Sequence, residues 1–499
     1  MRRLIITLLI FALTNGLIAQ ITLNLSGVEK KSDVKVIVQE LTERLDANSN
    51  YVWDATVVKN GIPQKEGFGY LKKINFSVSN LTEFWKVQGV NYEVYEKLVK
   101  NRMQYDLRKE LEDEALQYLE ELEKKNLFFN DSYLENYLYT ITYKLFPGKI
   151  QDGRPGIVNV KVVIDNTPNS YIFPNGTMII TTGLLTTINS EDELVAVMAH
   201  EVSHFVLDHT TININKANQR KKTAEFWAGF ATTLAAASEV YLASKNNYYT
   251  PGALTYSTAI LSTSIADAFI KRLGLEYSRE QEMDADKCAV ELMKFLKINP
   301  LALSSVLLKI KNYCVLTGDY FALSGYGTHP ALQDRISAIG TPPIMESTTY
   351  DKLISLVVSM NAGIEFNKKH FDVCINLINR NIAAGVAIED DYILKAMSNL
   401  CMYDNDEKNQ ECLNLIKSAK EINVVPPIYL YKQEALVYIR LKNFLNAKSS
   451  LQTYSQILTD QYKDISNIRS SDTWSSMNNY LANELDWTKK MLFKIKDEK

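Results

Sequence analysis

The chain has 499 residues, enough for about two to four domains, and its 46% hydrophobic and 23% charged content is that of an ordinary globular protein. Its 55 basic residues against 58 acidic ones give a net charge of −3, with no long basic tract. This balance offers little to neutralise many phosphates, which argues against a nucleic-acid binder.

In chain order, Arg2 and Arg3 precede an apolar run at residues 4–13, too short to span a bilayer. Leu17-Ile18-Ala19 before Gln20 is an acceptable cleavage site. Residues 1–19 are therefore expected to be a signal peptide, which makes the protein exported, either periplasmic or secreted. The alternative is an uncleaved N-terminal anchor. No Cys follows the apolar run, which argues against a lipid anchor. Residues 20–90 hold strand-like runs at 34–38, 51–58 and 74–78, with a turn at Asn60-Gly61-Ile62-Pro63. They suggest no chemistry.

Residues 91–125 are charged, with Leu111, Leu116, Leu119 and Leu122 at helical spacing, so an amphipathic helix is expected there. A second helix is expected over Ser132–Leu145. Strands follow at 158–164 and, as strand-turn-strand around Pro174-Asn175-Gly176, at 171–182. The next helix carries strong start signals: Ser190 as N-cap, Glu193 three residues on to close a capping box, and Glu191 and Asp192 at the positive end of the helix dipole. Residues 225–270 are rich in Ala, Ser, Thr and aromatics but interrupted by charges. They are weak as a membrane span and are expected to form two helices near the active site. From about residue 350 the sequence is helical and echoes itself. Cys374-Ile375-Asn376-Leu377-Ile378 recurs as Cys412-Leu413-Asn414-Leu415-Ile416, and a looser copy begins at Ala447. Tyr438, Phe444 and Ala447 fall where tetratricopeptide (TPR) repeats put packing residues, so stacked helix pairs are expected. The five cysteines all lie in the second half without a CxxC, and most are expected to be buried thiols in helices rather than a disulfide framework.

The chemistry sits in three places. His200-Glu201-Val202-Ser203-His204 is an H-E-x-x-H motif. On a helix, residues four apart lie about 40° apart around the axis, so both imidazoles can reach one Zn²⁺ while Glu201 takes a proton from a metal-bound water. Two His leave a catalytic zinc one protein ligand short. Glu282, in Glu282-Met283-Asp284-Ala285-Asp286, can complete the set, with Asp286 on the same helical face to accept a hydrogen bond from a ligand His. The third place is His329-Pro330 with Arg335 six residues after the His. His209 lies nine residues past His200. This is the wrong spacing for a metzincin, and on an unbroken helix it would point about 180° away, so it is expected to be structural.

Together these elements resemble the gluzincin peptidases of family M48, over about residues 105–342. The family's H-E-x-x-H falls on His200, Glu201 and His204. Its E-x-x-A-D after S-R falls on Glu282, Ala285 and Asp286 after Ser278-Arg279, and its late H-P and Arg fall on His329-Pro330 and Arg335. The stretch from Asn169 to Gly176 and through Thr182-Gly183-Leu184-Leu185 is similar to the family's edge strand before the zinc helix. The signal peptide and helical tail most resemble the periplasmic, repeat-bearing branch. The resemblance implies that His329 lies near the metal, either stabilising the oxyanion or acting as a displaceable fourth ligand.

The expected architecture is α+β. A mainly α-helical zincin domain with a small sheet occupies residues 91–344, and an α-helical TPR-like repeat domain occupies 345–499. They follow the signal peptide and an N-terminal region (20–90) of unassigned role. The expected activity is zinc-dependent endopeptidase action on exported or envelope proteins, in protein quality control. One Zn²⁺ is held by His200, His204 and Glu282, and the catalytic set is Glu201, His329, Arg335 and Asp286. Substrates are proteins or peptides, further protein partners bind through the repeats, and membrane contact is not required. The competing expectation is a chaperone or scaffold whose repeats bind clients and whose protease is latent.

Overall fold

The structure, a computed structural model, describes residues 20–99, 103–124, 126–146, 158–216, 276–317, 332–422, 426, 428–466 and 472–496. The signal-peptide segment, the 225–270 segment and His329 with Pro330 lie outside the described residues. The chain divides into two compact units, with the boundary between Glu346 and Ser347.

The first unit opens with a five-stranded antiparallel sheet: β1 (Gln20–Glu29), β2 (Lys35–Leu45), β3 (Tyr51–Lys59), β4 (Ile62–Gly67) and β5 (Ile74–Phe76), in the order β4-β3-β2-β1-β5. Alternating residues build it. Leu23, Leu25, Val36, Val38, Trp53, Ala55 and Val57 bury one face. Helices α1 (Leu81–Asn91) and α2 (Val94–Val99) follow. Trp53 Nε1 donates to Tyr95 O at 2.7 Å, and Lys86 Nζ donates to Leu23 O on the flank of β1 at 2.9 Å. Next come α3 (Met103–Lys124) and α4 (Ser132–Leu145), the latter capped by Asp131, whose Oδ1 accepts from Tyr133 N at 2.8 Å and Leu134 N at 3.1 Å.

The second sheet has three strands, β6 (Asn159–Val163), β7 (Ser170–Ile172) and β8 (Thr177–Thr181), in the order β6-β8-β7. β6 pairs parallel to β8, and β7 and β8 form the expected hairpin, turning at Gly176 with φ +79°. The sequence stretch expected to be an edge is thus an edge only at β7, because β8 is central and wholly buried. Helix α5 (Thr182–Thr187) starts directly after β8. A Cβ on Gly183 would come within 2.3 Å of the Asn166 backbone, so only glycine permits this close approach.

Helices α6 (Glu191–Val206), α7 (His209–Lys216), α8 (Arg279–Phe295), α9 (Ala302–Thr317) and α10 (Leu332–Ile339) complete the unit. α6 is its spine, packed by α8, α9, α4 and β7 and buried from Glu193 to Val206. Ser190 is its N-cap, accepting from Glu193 N at 3.3 Å. The Glu193 carboxylate does not close the capping box on Ser190 N. It accepts from Asn189 N and Ser305 Oγ, each at 2.6 Å, and from Lys309 Nζ at 2.9 Å, which ties the start of α6 to α9.

The second unit is helical: α11 (Thr348–Leu353), α12 (Ser355–Asn367), α13 (Phe371–Ala384), α14 (Glu389–Met402), α15 (Asp406–Ile422), α16 (Tyr429–Arg440), α17 (Phe444–Ser466) and α18 (Asp472–Lys496). From α12 onward each helix packs mainly on its neighbours in the chain. The echoed residues play equivalent parts. Cys374 and Ile378 on α13, Cys412 and Ile416 on α15, and Ala447 and Leu451 on α17 are all fully buried. No described helix is long and apolar enough to cross a membrane.

Candidate metal centre

Helix α6 brings His200 and His204 one turn apart on one face, and both are buried. Helix α8 packs across them. Its start is fixed by a capping box in which Ser278 Oγ accepts from Gln281 N and Gln281 Oε1 accepts from Ser278 N. Glu282 is thereby set in the first turn of α8, with Asp286 one turn later.

Two imidazole nitrogens and one carboxylate meet. His200 Nε2 lies 3.0 Å from His204 Nε2 and 3.5 Å from Glu282 Oε2, and His204 Nε2 lies 3.3 Å from Glu282 Oε1. Among the described residues this is the group able to hold a metal ion. A zinc bound at about 2.0–2.1 Å in tetrahedral geometry sets its ligand atoms about 3.3–3.4 Å apart, and the spacings between the two nitrogens and from each nitrogen to a Glu282 carboxylate oxygen, 3.0–3.5 Å, lie close to that. The charge balance fits as well. Glu201, Glu282 and Asp286 are buried beside one guanidinium, Arg335, and a divalent cation would offset the excess.

Three of the other expected residues, Asp286, Arg335 and Glu201, surround this triangle, while His329 lies outside the described residues. Asp286 Oδ1 lies 2.9 Å from His200 Nδ1, orienting that imidazole. Arg335, from α10, sits behind both acids: Nε and Nη2 donate to Asp286 at 2.7 Å each, and Nη1 lies 2.6 Å from Glu282 Oε2. Glu201 is fully buried, and its Oε1 accepts from Ser170 Oγ on β7 at 2.6 Å.

The electrostatics follow from these contacts. Burial alone would push the His200 imidazole down, but its hydrogen bonds to Asp286 and Glu282 outweigh this and hold it up at about 9. Burial would raise the Asp286 carboxyl, yet the Arg335 guanidinium beside it and its bond to His200 bring it down to about 2. His209 is driven well below the ordinary imidazole value by burial and the neighbouring His204.

Sequence reasoning missed four residues. His209 was expected to face away on an unbroken helix. Instead the helix stops at Val206, Asp208 takes a positive φ of +58°, and α7 restarts in a new direction. His209 Nδ1 therefore lies 2.9 Å from His204 Nδ1. Arg108 pins the break, its Nη2 being 2.7 Å from Asp208 Oδ2 in a buried ion pair. The Tyr277 ring stacks on His204 at 3.7 Å between centroids, and its hydroxyl lies 3.1 Å from Thr210 Oγ1. Ser170 is the fourth. Tyr277 stands directly before the Ser278 cap, a place that says nothing of a ring stacked on His204. Arg108 and Ser170 carry no local signal.

Comparison with known proteins agrees with this geometry. Residues 143–342 match the sequence profile of Peptidase family M48. The chain is 28% identical over 180 residues to the mitochondrial metalloendopeptidase OMA1 of Schizosaccharomyces pombe, a match covering 36% of this chain and 44% of that protein. It is 26% identical over 189 residues to a protease HtpX homolog of Fusobacterium nucleatum subsp. nucleatum, covering 34% of this chain and 55% of that protein. The chain thus spans about half the length of the curated relatives it matches.

Proposed function

We propose, from the premise of an M48-family peptidase domain at residues 143–342, that this protein is a zinc-dependent endopeptidase. The observation that carries the reading is the meeting of His200 Nε2, His204 Nε2 and the Glu282 carboxylate within 3.5 Å of one another, beside the buried Glu201. These three residues would hold the zinc, which when bound supplies a Lewis acid for the scissile carbonyl and an acidified water. Glu201 takes the proton of the attacking water and passes it to the leaving amine. Ser170 holds that carboxylate by its Oε1. Asp286 and Arg335 keep His200 and Glu282 in place. No strand pairs on the outer side of β7 among the described residues, and a substrate strand added there would run past Ser170 toward Glu201.

In this proposal the protein acts on exported proteins. The N-terminal Arg2-Arg3 and the apolar residues 4–13 support the export, and the helical second unit is a TPR-like docking domain. The equivalent burial of Cys374/Ile378, Cys412/Ile416 and Ala447/Leu451 supports stacked repeats. The same observation favours a second reading, a scaffold that binds clients through its tail. A stable partner lost on deleting residues 345–499 but retained in Glu201→Gln would support it.

The test is metal analysis of the purified protein together with cleavage of an unfolded protein such as casein. One zinc per chain is expected, with cleavage abolished by a chelator and restored by zinc. Cleavage indifferent to the chelator would overturn the proposal.

A further inference from the structure

We propose that His209 is a positioning residue of the metal centre, holding the His204 imidazole through its Nδ1 so that Nε2 faces His200 and Glu282. The inference rests on the zinc reading above. A neutral imidazole that binds metal through Nε2 carries its one proton on Nδ1. For His204 that N–H is fully buried, and His209 Nδ1 lies 2.9 Å from it. His204 therefore donates and His209 accepts on a lone pair, keeping its own proton on Nε2. Asp286 does the corresponding work for His200, at 2.9 Å. The two candidate ligands are thus oriented by unlike acceptors, one a carboxylate and one a neutral ring. A second carboxylate at this point would add to the negative charge of Glu201, Glu282 and Asp286.

The fold goes to some length to put His209 there. The helix is broken at Leu207–Asp208, with Asp208 in the left-handed region at φ +58°. Three contacts fix the new direction. Arg108 Nη2 meets Asp208 Oδ2 at 2.7 Å, Thr211 Oγ1 donates to Asp208 Oδ1 at 2.9 Å, and Gln281 Nε2 donates to His209 O at 3.2 Å. The last of these ties His209 to the same turn of α8 that presents Glu282. With Tyr277 stacked on the ring face, His204 is held both in plane and by its rear nitrogen.

The test compares two substitutions of the full chain. His209→Leu keeps volume and removes the acceptor. His209→Asn restores an acceptor at the position of Nδ1. Zn²⁺ affinity is measured by competition with a chromophoric chelator, and the melting of the metal-free proteins reports any loss of fold. His209→Leu should bind zinc about 10–100-fold more weakly, the usual effect of removing such a partner, and His209→Asn should recover most of the loss. Should His209→Leu fail to fold, His209→Ala is the second acceptor-free variant. Equal affinity in wild type and the acceptor-free variant overturns the inference, and so does an Asn variant as weak as the Leu variant. Glu282→Ala keeps the two questions apart. If it loses zinc while the His209 variants do not, the zinc reading stands and the role of His209 falls. If the wild type binds no zinc, both fall.

Discussion

Arg335 grips Asp286 with two parallel hydrogen bonds of 2.7 Å, from Nε to Oδ2 and from Nη2 to Oδ1, while its remaining Nη1 lies 2.6 Å from Glu282 Oε2. One fully buried guanidinium therefore holds two neighbouring carboxylates of α8, one a candidate ligand and the other the partner of His200.

Removing that guanidinium should be severe. Arg335→Ala leaves two buried carboxylates without their cation, a loss of about 3–5 kcal/mol for breaking a buried pair. Arg335→Lys should recover only part, because an ammonium cannot form the two-pronged contact. Urea unfolding of the metal-free protein measures both. Wild-type stability in Arg335→Ala would refute the structural role assigned to this residue.

Glu282→Ala should lose most of the bound zinc, since two imidazoles alone make a poor site. Metal content after dialysis against a weak chelator reads this directly. Full occupancy in the variant would remove Glu282 from the ligand set.

Glu201→Gln should retain zinc and fold, because Gln keeps an Oε1 to accept from Ser170 Oγ. It cannot take a proton from water, and turnover should fall by about 10²–10⁴-fold. Near-normal turnover would exclude Glu201 as the base.

The cysteines should separate cleanly. Burial pushes the thiols of Cys288 and Cys374 up to about 12 and that of Cys412 up to about 11, and Cys314 is buried too, whereas Cys401 is exposed. At pH 8 a thiol reagent should modify the folded protein once, at Cys401, and all five sites in denaturant. Rapid labelling of Cys288 in the folded state would contradict the packing of α8 on α6.

Much of the centre was legible because its spacing is helical. His200 and His204 share a face by periodicity alone, and Glu282 and Asp286 do the same on α8. Arg335 was marked only through a family resemblance, and its pairing with these acids was not expected, since nothing in a sequence says which of its arginines will cross to a given acid. His209 illustrates what is lost. Its place depends on Asp208 leaving the helix at positive φ, held there by Arg108 a hundred residues earlier. Periodicity assumes the helix continues and so turns His209 the wrong way. In the first sheet β2, β3 and β5 were readable as strand-like runs. β1 alternates plainly at Ile21, Leu23 and Leu25 and could have been read, whereas β4 was obscured by its exposure on both faces.

The position of Arg335 in the chain has one more consequence. It lies on α10, after both histidines and both acids in sequence. A polypeptide made from its N-terminus first displays His200 and His204, then Glu282 and Asp286, and last of all the guanidinium that lets those acids sit together out of water. Until residue 335 has emerged, α8 has every reason to keep its acidic edge in solvent. Assembly of the centre therefore needs a chain that extends through residue 335, and a chain cut short of α10 would lack the cation that offsets Glu282 and Asp286.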